Sequence, residues 1–374
     1  MKRAQQDLIS RDLTRKMVFL TGPRQVGKTS LALAIAEEQE QSVYLNYDNF
    51  SHREVIRRAA WLPETRLLIL DELHKMDNWK NYLKGIYDTK EQHLQILVTG
   101  SARLETFRQS GDSLAGRFFR HRLNPLSMAE IPSATEQTLN RLLQRGGFPE
   151  PYLAESPDDS NRWRLQYIDG LIRTDILDFE KVHDFKAIQL TLELLRQRVG
   201  SPLSYASLAR DVGCSPNTIK RYIEIFEALY IIFRVTPYHR NIARSIQKEA
   251  KIYFYDNGMV VGDEGVRFEN LVAISLLKHL NAIEDYKGKR TSLKTLRTKE
   301  KKEVDFVLEQ PNGLLAGIEV KGRDAVSDRD FNGLRVLQQQ TGQDFVCGII
   351  LYRGSKVIPF GDKFWAVPIP ALWV

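Results

Sequence analysis

The sequence predicts an α/β protein with three parts: an amino-terminal parallel sheet flanked by helices, a largely helical middle, and a second α/β domain. Three observations predict it. In the first third, short apolar runs alternate with helical patterns, which is the signature of strands joined by crossover helices. From about 138 to 260 the apolar spacing is mostly helical. From about 262 one helical stretch is followed by apolar strands. A chain of 374 residues, 43% hydrophobic and 27% charged, is long enough to give each part its own core. The expected domains are residues 1–135, 136–261 and 262–374.

Taken in order, the expected strands of the first part are MVFLTG (17–22), SVYLNYD (42–48), RLLILDE (66–72) and LQILVTG (94–100). A boundary is expected within IPSATEQ (131–137), and RGGFPEPYLAESPDD (145–159) reads as a loop. The last part opens with the helix RFENLVAISLLKHL and continues with strands at EVDFVLE, GLLAGIEVK and FVCGIILY. The 54 Lys and Arg exceed the 47 Asp and Glu by 7, a mild excess that suits a polyanionic partner. Cys214 and Cys347 are the only cysteines and match no zinc or redox spacing, which rules out a disulfide scaffold. No run is long and apolar enough for a membrane span, and MKRAQQDLISRDLTRK has no apolar core for a secretory signal. A cytosolic protein without a membrane role is expected.

The strongest motif is GPRQVGKT, Gly22 to Thr29, which fits the phosphate-loop pattern GxxxxGK[ST] between an apolar strand and a helix. The expected nucleotide contacts are Gly22, Pro23, Arg24, Gln25, Val26, Gly27, Lys28, Thr29 and Ser30. The glycines let consecutive amides turn toward a β-phosphate, Lys28 neutralises β- and γ-phosphate charge, and the Thr29 hydroxyl is a Mg²⁺ ligand. The helix beginning at Lys28 adds its positive end. Asp71 and Glu72 close the strand LLILDE: Asp71 is placed to hold Mg²⁺ through water, Glu72 to polarise the attacking water. In LVTGSAR either Thr99 or, by preference, Ser101 would sense the γ-phosphate. Arg117 in SLAGRFFRHR is the candidate finger, supplied in cis or from a neighbouring copy in a homo-oligomer; an acid-paired or solvated arginine is the alternative.

TGPRQVGKT, LLILDELHKMDNW, LVTGSARL and LAGRFFRHRLNPLS together resemble a large family of bacterial and archaeal AAA-type ATPases. Its members join an amino-terminal AAA domain to a carboxy-terminal domain of long-unknown function. The resemblance extends along the chain through RGGFPEPY and the EVDFV…IEVK segment. It implies a P-loop AAA-type sheet with the strand at 94–100 between the strands leading to Lys28 and Asp71. It also implies ATP with Mg²⁺, and no NKxD-type guanine signature argues against that. The chain departs from the pattern in showing no recognisable second-sensor arginine from a helical lid.

In the middle, PLSYASLARDVGCSPNTIKRYIEIFEALYIIFRV (202–235) has the organisation of a winged helix-turn-helix at about 202–240. The first helix would run from Leu203 to Asp211, the second from Pro216 to Leu229, and YIIFRV would form the wing. Ile219, Tyr222, Ile223 and Phe226 would pack inward, leaving Thr218, Lys220 and Arg221 outward for DNA or for a protein partner.

The last part carries a second acidic set: Glu269 on the helix, Asp305 in EVDFVLE, and Glu319 with Lys321 in GIEVK. Residues two apart on a strand share a face, so Glu319 and Lys321 project together. Hard carboxylate oxygens suit Mg²⁺ or Mn²⁺, and a lysine can position water. The order resembles the PD-(D/E)XK restriction-endonuclease-like core, with Val304 where a proline often precedes the strand acid. That resemblance implies that Asp305 and Glu319 are metal ligands, Lys321 is catalytic and Glu269 is auxiliary. Finally, residues 287–303 hold eight Lys or Arg against two Glu and run into the strand of Asp305. The segment reads either as a solvated hairpin or as a phosphate-backbone contact, with DNA the favoured nucleic acid.

Overall fold

The computed structural model describes residues 2–100, 114–133, 135–176, 184–239, 249–298 and 302–373. Its packing divides the chain into two compact units, Met1–Pro125 with Asp285–Lys287, and Leu126–Glu284 with Gly288–Val374.

The first unit is a five-stranded parallel sheet of β1 (Met17–Thr21), β2 (Ser42–Asn46), β3 (Leu67–Asp71), β4 (Gln95–Thr99) and β5 (Phe118–Arg122). The order is β2-β3-β4-β1-β5, so β4 lies between β1 and β3 as the family resemblance implies. Helices α1 (Gln6–Leu13), α2 (Lys28–Glu37), α3 (Phe50–Arg58) and α4 (Trp79–Thr89) flank it. β1 and β3 are buried at every position, which is why they read as unbroken apolar runs. Phe19 stacks on Phe118 with ring centroids 4.4 Å apart and tilts against Trp79 on α4 at 6.0 Å. Leu68, Leu70, Ile96 and Val98 complete this core. Because all five strands run the same way, Thr21, Asp71 and Thr99 end at one edge of the sheet.

β5 is an edge strand that the periodicity did not reveal. Among the described residues it pairs only with β1, and four of its five positions are half-buried, so FFRHR lacks the apolar run that marks a central strand.

In the second unit an eight-stranded mixed sheet has the order β12-β13-β11-β10-β9-β8-β6-β7. Its strands are β6 (Ile232–Pro237), β7 (Lys251–Phe254), β8 (Ser292–Arg297), β9 (Glu303–Glu309), β10 (Leu315–Lys321), β11 (Phe345–Tyr352), β12 (Ile358–Pro359) and β13 (Phe364–Pro368). The sheet crosses the expected boundary at 261/262, because β6 pairs with β8 through Thr236↔Lys294 and Pro237↔Thr295. The described part of the basic segment contributes an internal strand while Lys287, Lys289, Arg290, Arg297 and Lys302 stay exposed: Lys294 donates to Thr236 Oγ1 at 2.9 Å and Arg297 pairs with Glu303 at 3.0 Å. Phe331, Leu334 and Leu337 pack with Val304, Val307, Phe345 and Phe364 in one core.

The helix-turn-helix spans appear as α5 (Tyr205–Val212) and α6 (Pro216–Ala228), followed by β6. Ser215 caps α6 by accepting from the Thr218 amide at 3.1 Å. Ile219, Tyr222, Ile223 and Phe226 are buried; Lys220 and Arg221 are exposed and Thr218 is half-buried.

RGGFPEP is not an open loop. A helix starts at Pro149, and Gly146 adopts φ 75° directly against Asp256, whose Oδ1 lies 1.6 Å from where a Cβ would sit. Asp256 accepts from Arg164 Nε at 3.1 Å, and Arg164 also donates to the Arg145 carbonyl at 3.0 Å. The motif knits the second unit's interior.

Candidate functional site

The phosphate loop turns where the sequence requires glycine. Gly22 has φ 140°, and a Cβ there would lie 2.2 Å from the Leu123 carbonyl oxygen. Gly27, at φ 96°, is the N-cap of α2 and offers no side chain to its amides, so the helix end stays open to an anion. Pro23 and Val26 are buried, Arg24 half-buried, and Gln25, Thr29 and Ser30 exposed. Lys28 is buried, and its ammonium donates to two carbonyls, of Pro23 at 2.6 Å and Gly22 at 3.1 Å. Burial pulls its pKa down to about 8 against the opposing charges of Glu72 and Asp71. A buried ammonium held by neutral oxygens beside a helix amino terminus fits a polyphosphate. Arg3, also buried, donates to the carbonyls of Val26 and Asn124 and so braces the loop from the chain's first residues.

At the carboxyl end of β3, Asp71 accepts from Thr29 Oγ1 at 2.8 Å, from Tyr44 Oη at 2.7 Å and from the Thr99 hydroxyl. Thr29 and Asp71 thus sit side by side, the arrangement that two Mg²⁺-binding groups of a phosphate loop need. Tyr44 went unnoticed in the sequence. The signal was Tyr44 and Asn46 alternating at the end of β2, next to the Asp71 strand. Burial, then its bond to Asp71, pushes the Tyr44 phenol up to about 12, so it stays a neutral donor.

Glu72 takes the left-handed backbone conformation, φ 57°, a strained geometry for a residue with a side chain. Its carboxylate lies 3.4 Å from Lys75 and 3.6 Å from His74. Burial raises its pKa above the ordinary glutamate range, which favours a proton acceptor working nearer neutrality.

The expected cis role of Arg117 does not survive the register. Met17 pairs with Phe118 and Thr21 with Arg122, so Arg117 lies at the amino-terminal edge of the sheet. The phosphate loop leaves the opposite edge, the length of a five-residue strand away, about 16 Å. Arg117 forms a two-pronged pair with Asp88 of α4, at 2.7 and 2.9 Å. Ser101 lies outside the described residues; Thr99, the other sensor candidate, is buried on Asp71.

In the second unit the four sequence-predicted residues do come together. Lys321 Nζ donates to Glu319 Oε1 at 2.9 Å, the Asp305 amide to Glu319 Oε2 at 3.3 Å, and the Val320 amide to Asp305 Oδ2 at 2.8 Å. Two unforeseen residues join them from β7. Lys251 Nζ lies 3.2 Å from Glu269 Oε1 and 3.9 Å from Asp305 Oδ1, and Tyr253 Oη donates to Glu269 Oε1 at 2.6 Å. Their signal in the sequence was the alternation in KIYF, which puts both on one face.

Burial, then repulsion from Asp305, raises Glu319 to about 7. Burial likewise raises Glu269 and Asp305. Two lysines face these carboxylates, and no three His, Cys, Asp or Glu gather as a metal cage among the described residues.

Comparison with known proteins agrees with the first unit's geometry. Residues 14–132 match the model of an AAA domain, residues 136–266 a domain of unknown function (DUF8612), and residues 264–372 another (DUF4143). An uncharacterized protein of Mycobacterium tuberculosis is 27% identical over 248 residues, covering 65% of this chain and 55% of that protein. The chain thus spans about half the length of its mycobacterial relatives. An uncharacterized protein of Methanocaldococcus jannaschii is 22% identical over 412 residues, covering 98% of this chain and 90% of the relative. Among solved structures, the Walker-type ATPase PABY2304 of Pyrococcus abyssi aligns at 15% identity with TM-score 0.45, covering 69% of this chain and 94% of that one. Residues 14–132 thus combine a phosphate-loop motif with similarity to an AAA domain, and no helix among the described residues is long and apolar enough to cross a membrane.

Proposed function

We propose that the protein is a Mg²⁺-dependent ATPase whose nucleotide state controls binding of DNA by its carboxy-terminal half. The observation that carries the ATPase reading is the buried Lys28 ammonium on two carbonyls, with the Thr29–Asp71 pair beside it. The triphosphate would lie along the amides of residues 22–29, and Lys28 would exchange its carbonyl partners for β- and γ-phosphate oxygens. Thr29 directly and Asp71 through water would hold Mg²⁺, which neutralises charge on those oxygens. Water attacks the γ-phosphorus, the bond to the β–γ bridging oxygen breaks, and Glu72 accepts the water's proton. Thr99 or Ser101 would report the γ-phosphate.

For the DNA half, α5, α6 and β6 support a winged-helix reading that turns Lys220 and Arg221 outward. The Glu–Asp–ExK order supports a restriction-endonuclease-like fold for the last domain. A second reading, an ATP-driven signalling or scaffold switch with a non-cleaving partner-binding domain, is favoured by the lysines that face the acidic set. One experiment separates these readings: ATP turnover with and without DNA, alongside cleavage of single- and double-stranded DNA in Mg²⁺ or Mn²⁺. Turnover cut at least about 10²-fold by Lys28→Ala supports the ATPase. Undiminished turnover in this variant refutes it, and Asp305-dependent cleavage would refute the switch.

A further inference from the structure

The acidic set of the second unit is built around a cation that belongs to the chain itself. Lys251 enters from β7, between Glu269 of the long helix Glu264–Lys287 and Asp305 of β9. Glu269 Oε1 has two lone pairs, and the Lys251 ammonium at 3.2 Å and the Tyr253 hydroxyl at 2.6 Å occupy both. Gly200 packs against the same carboxylate: at φ 71°, it comes so near that a Cβ there would lie 2.9 Å from Oε1. On the neighbouring strand Lys321 holds Glu319 Oε1 at 2.9 Å.

We infer that Lys251 is a tethered counter-ion standing in the place of a divalent metal, so that this acidic set is a closed ion-pair lock and takes up no Mg²⁺ or Mn²⁺. Geometry and charge give the same answer. A divalent ion needs carboxylate oxygens at about 2.0–2.6 Å, and an ammonium occupies the gap between the two acids that would supply them. Three carboxylates face two ammonium groups, so the chain itself answers all but one of the negative charges. Burial works against the Lys251 charge, but Glu269 and Asp305 outweigh it and raise its pKa above the ordinary lysine range.

The test is Mn²⁺ binding to the full chain without nucleotide, read from the electron paramagnetic resonance signal of free Mn²⁺. The omission of nucleotide keeps its outcome separate from that of the ATPase reading. Wild type and Asp305→Asn are expected to bind Mn²⁺ identically. Lys251→Met is expected to gain one site at least about tenfold tighter than anything in wild type, and to lose it again in the Lys251→Met, Asp305→Asn double variant. Lys251→Gln, which keeps a neutral donor to Glu269, replaces Lys251→Met should circular dichroism show that the latter does not fold. Wild-type Mn²⁺ binding that falls in Asp305→Asn would overturn the inference, and so would Lys251 variants that fold and gain no site.

Discussion

Two lysines in two units show what a charged side chain says about its surroundings. Lys28 is buried on two backbone carbonyls, and burial lowers its pKa to about 8. Lys251 is similarly buried but faces Glu269 and Asp305, and its pKa is raised in spite of burial. Lys321, against Glu319, is raised in the same way. A lysine held on carbonyl dipoles, whose burial outweighs the nearby charges of Glu72 and Asp71, stabilises an arriving anion. One that already faces carboxylates has its anion. The first unit is thus arranged to receive charge, the second to hold charge that the chain supplies.

Breaking this contrast starts at the receiving site. Glu72→Gln should lower ATP turnover by about 10²- to 10⁴-fold while nucleotide binding persists, since only proton acceptance is lost. Retention of full turnover would remove Glu72 from the reaction. Lys28→Ala should cut kcat/KM by about 10²- to 10³-fold, and equilibrium titration with a fluorescent ATP analogue should show the loss in binding.

The holding site responds in stability. Lys251→Met removes one partner of a largely buried pair and should cost about 2–3 kcal/mol in urea unfolding, moderated because Glu269 and Asp305 can take up protons. A change within a few tenths would mean that the pair contributes nothing. Glu319 sharpens the comparison through pH. Folding raises its carboxyl from 4.5 to about 7, so the folded chain binds more protons across that window and stability falls as pH rises through it. The drop should be about 1–3 kcal/mol by calorimetry and should shrink in Glu319→Gln, leaving the part that the raised Glu269 and Asp305 contribute. The smallest effect belongs to Tyr44→Phe. Loss of one donor to Asp71, about 1 kcal/mol, should raise the Mg²⁺ concentration for half-maximal turnover several-fold and leave ATP binding without Mg²⁺ unchanged.

The sequence disclosed the first unit better than the second, for physical reasons. A phosphate loop is local: eight consecutive residues carry its turn, its amides and its lysine. β1 and β3 are buried throughout, and an unbroken apolar run is hard to misread. The acidic set is assembled from three strands and a helix, so its carboxylates could be found by their order but Lys251 could not. Nothing in KIYF says that its lysine will meet Asp305, more than fifty positions onward. β5 and β8 were obscured by basic residues, since a strand with a half-exposed face can carry arginine and lysine without loss. RGGFPEP was legible as a turn but not as the cradle for Asp256, because that carboxylate arrives from a distant segment.

The register of β5 has one further consequence. An arginine fixed at the far edge of a parallel sheet cannot reach the nucleotide of its own chain, whatever its rotamer. Arg117 can meet a γ-phosphate only across a junction between two copies, after exchanging Asp88 for it. Any catalytic share it has would therefore be a property of the population rather than of the molecule. The rate per chain would climb as the solution is concentrated and fall away on dilution, and Arg117→Ala would flatten that curve.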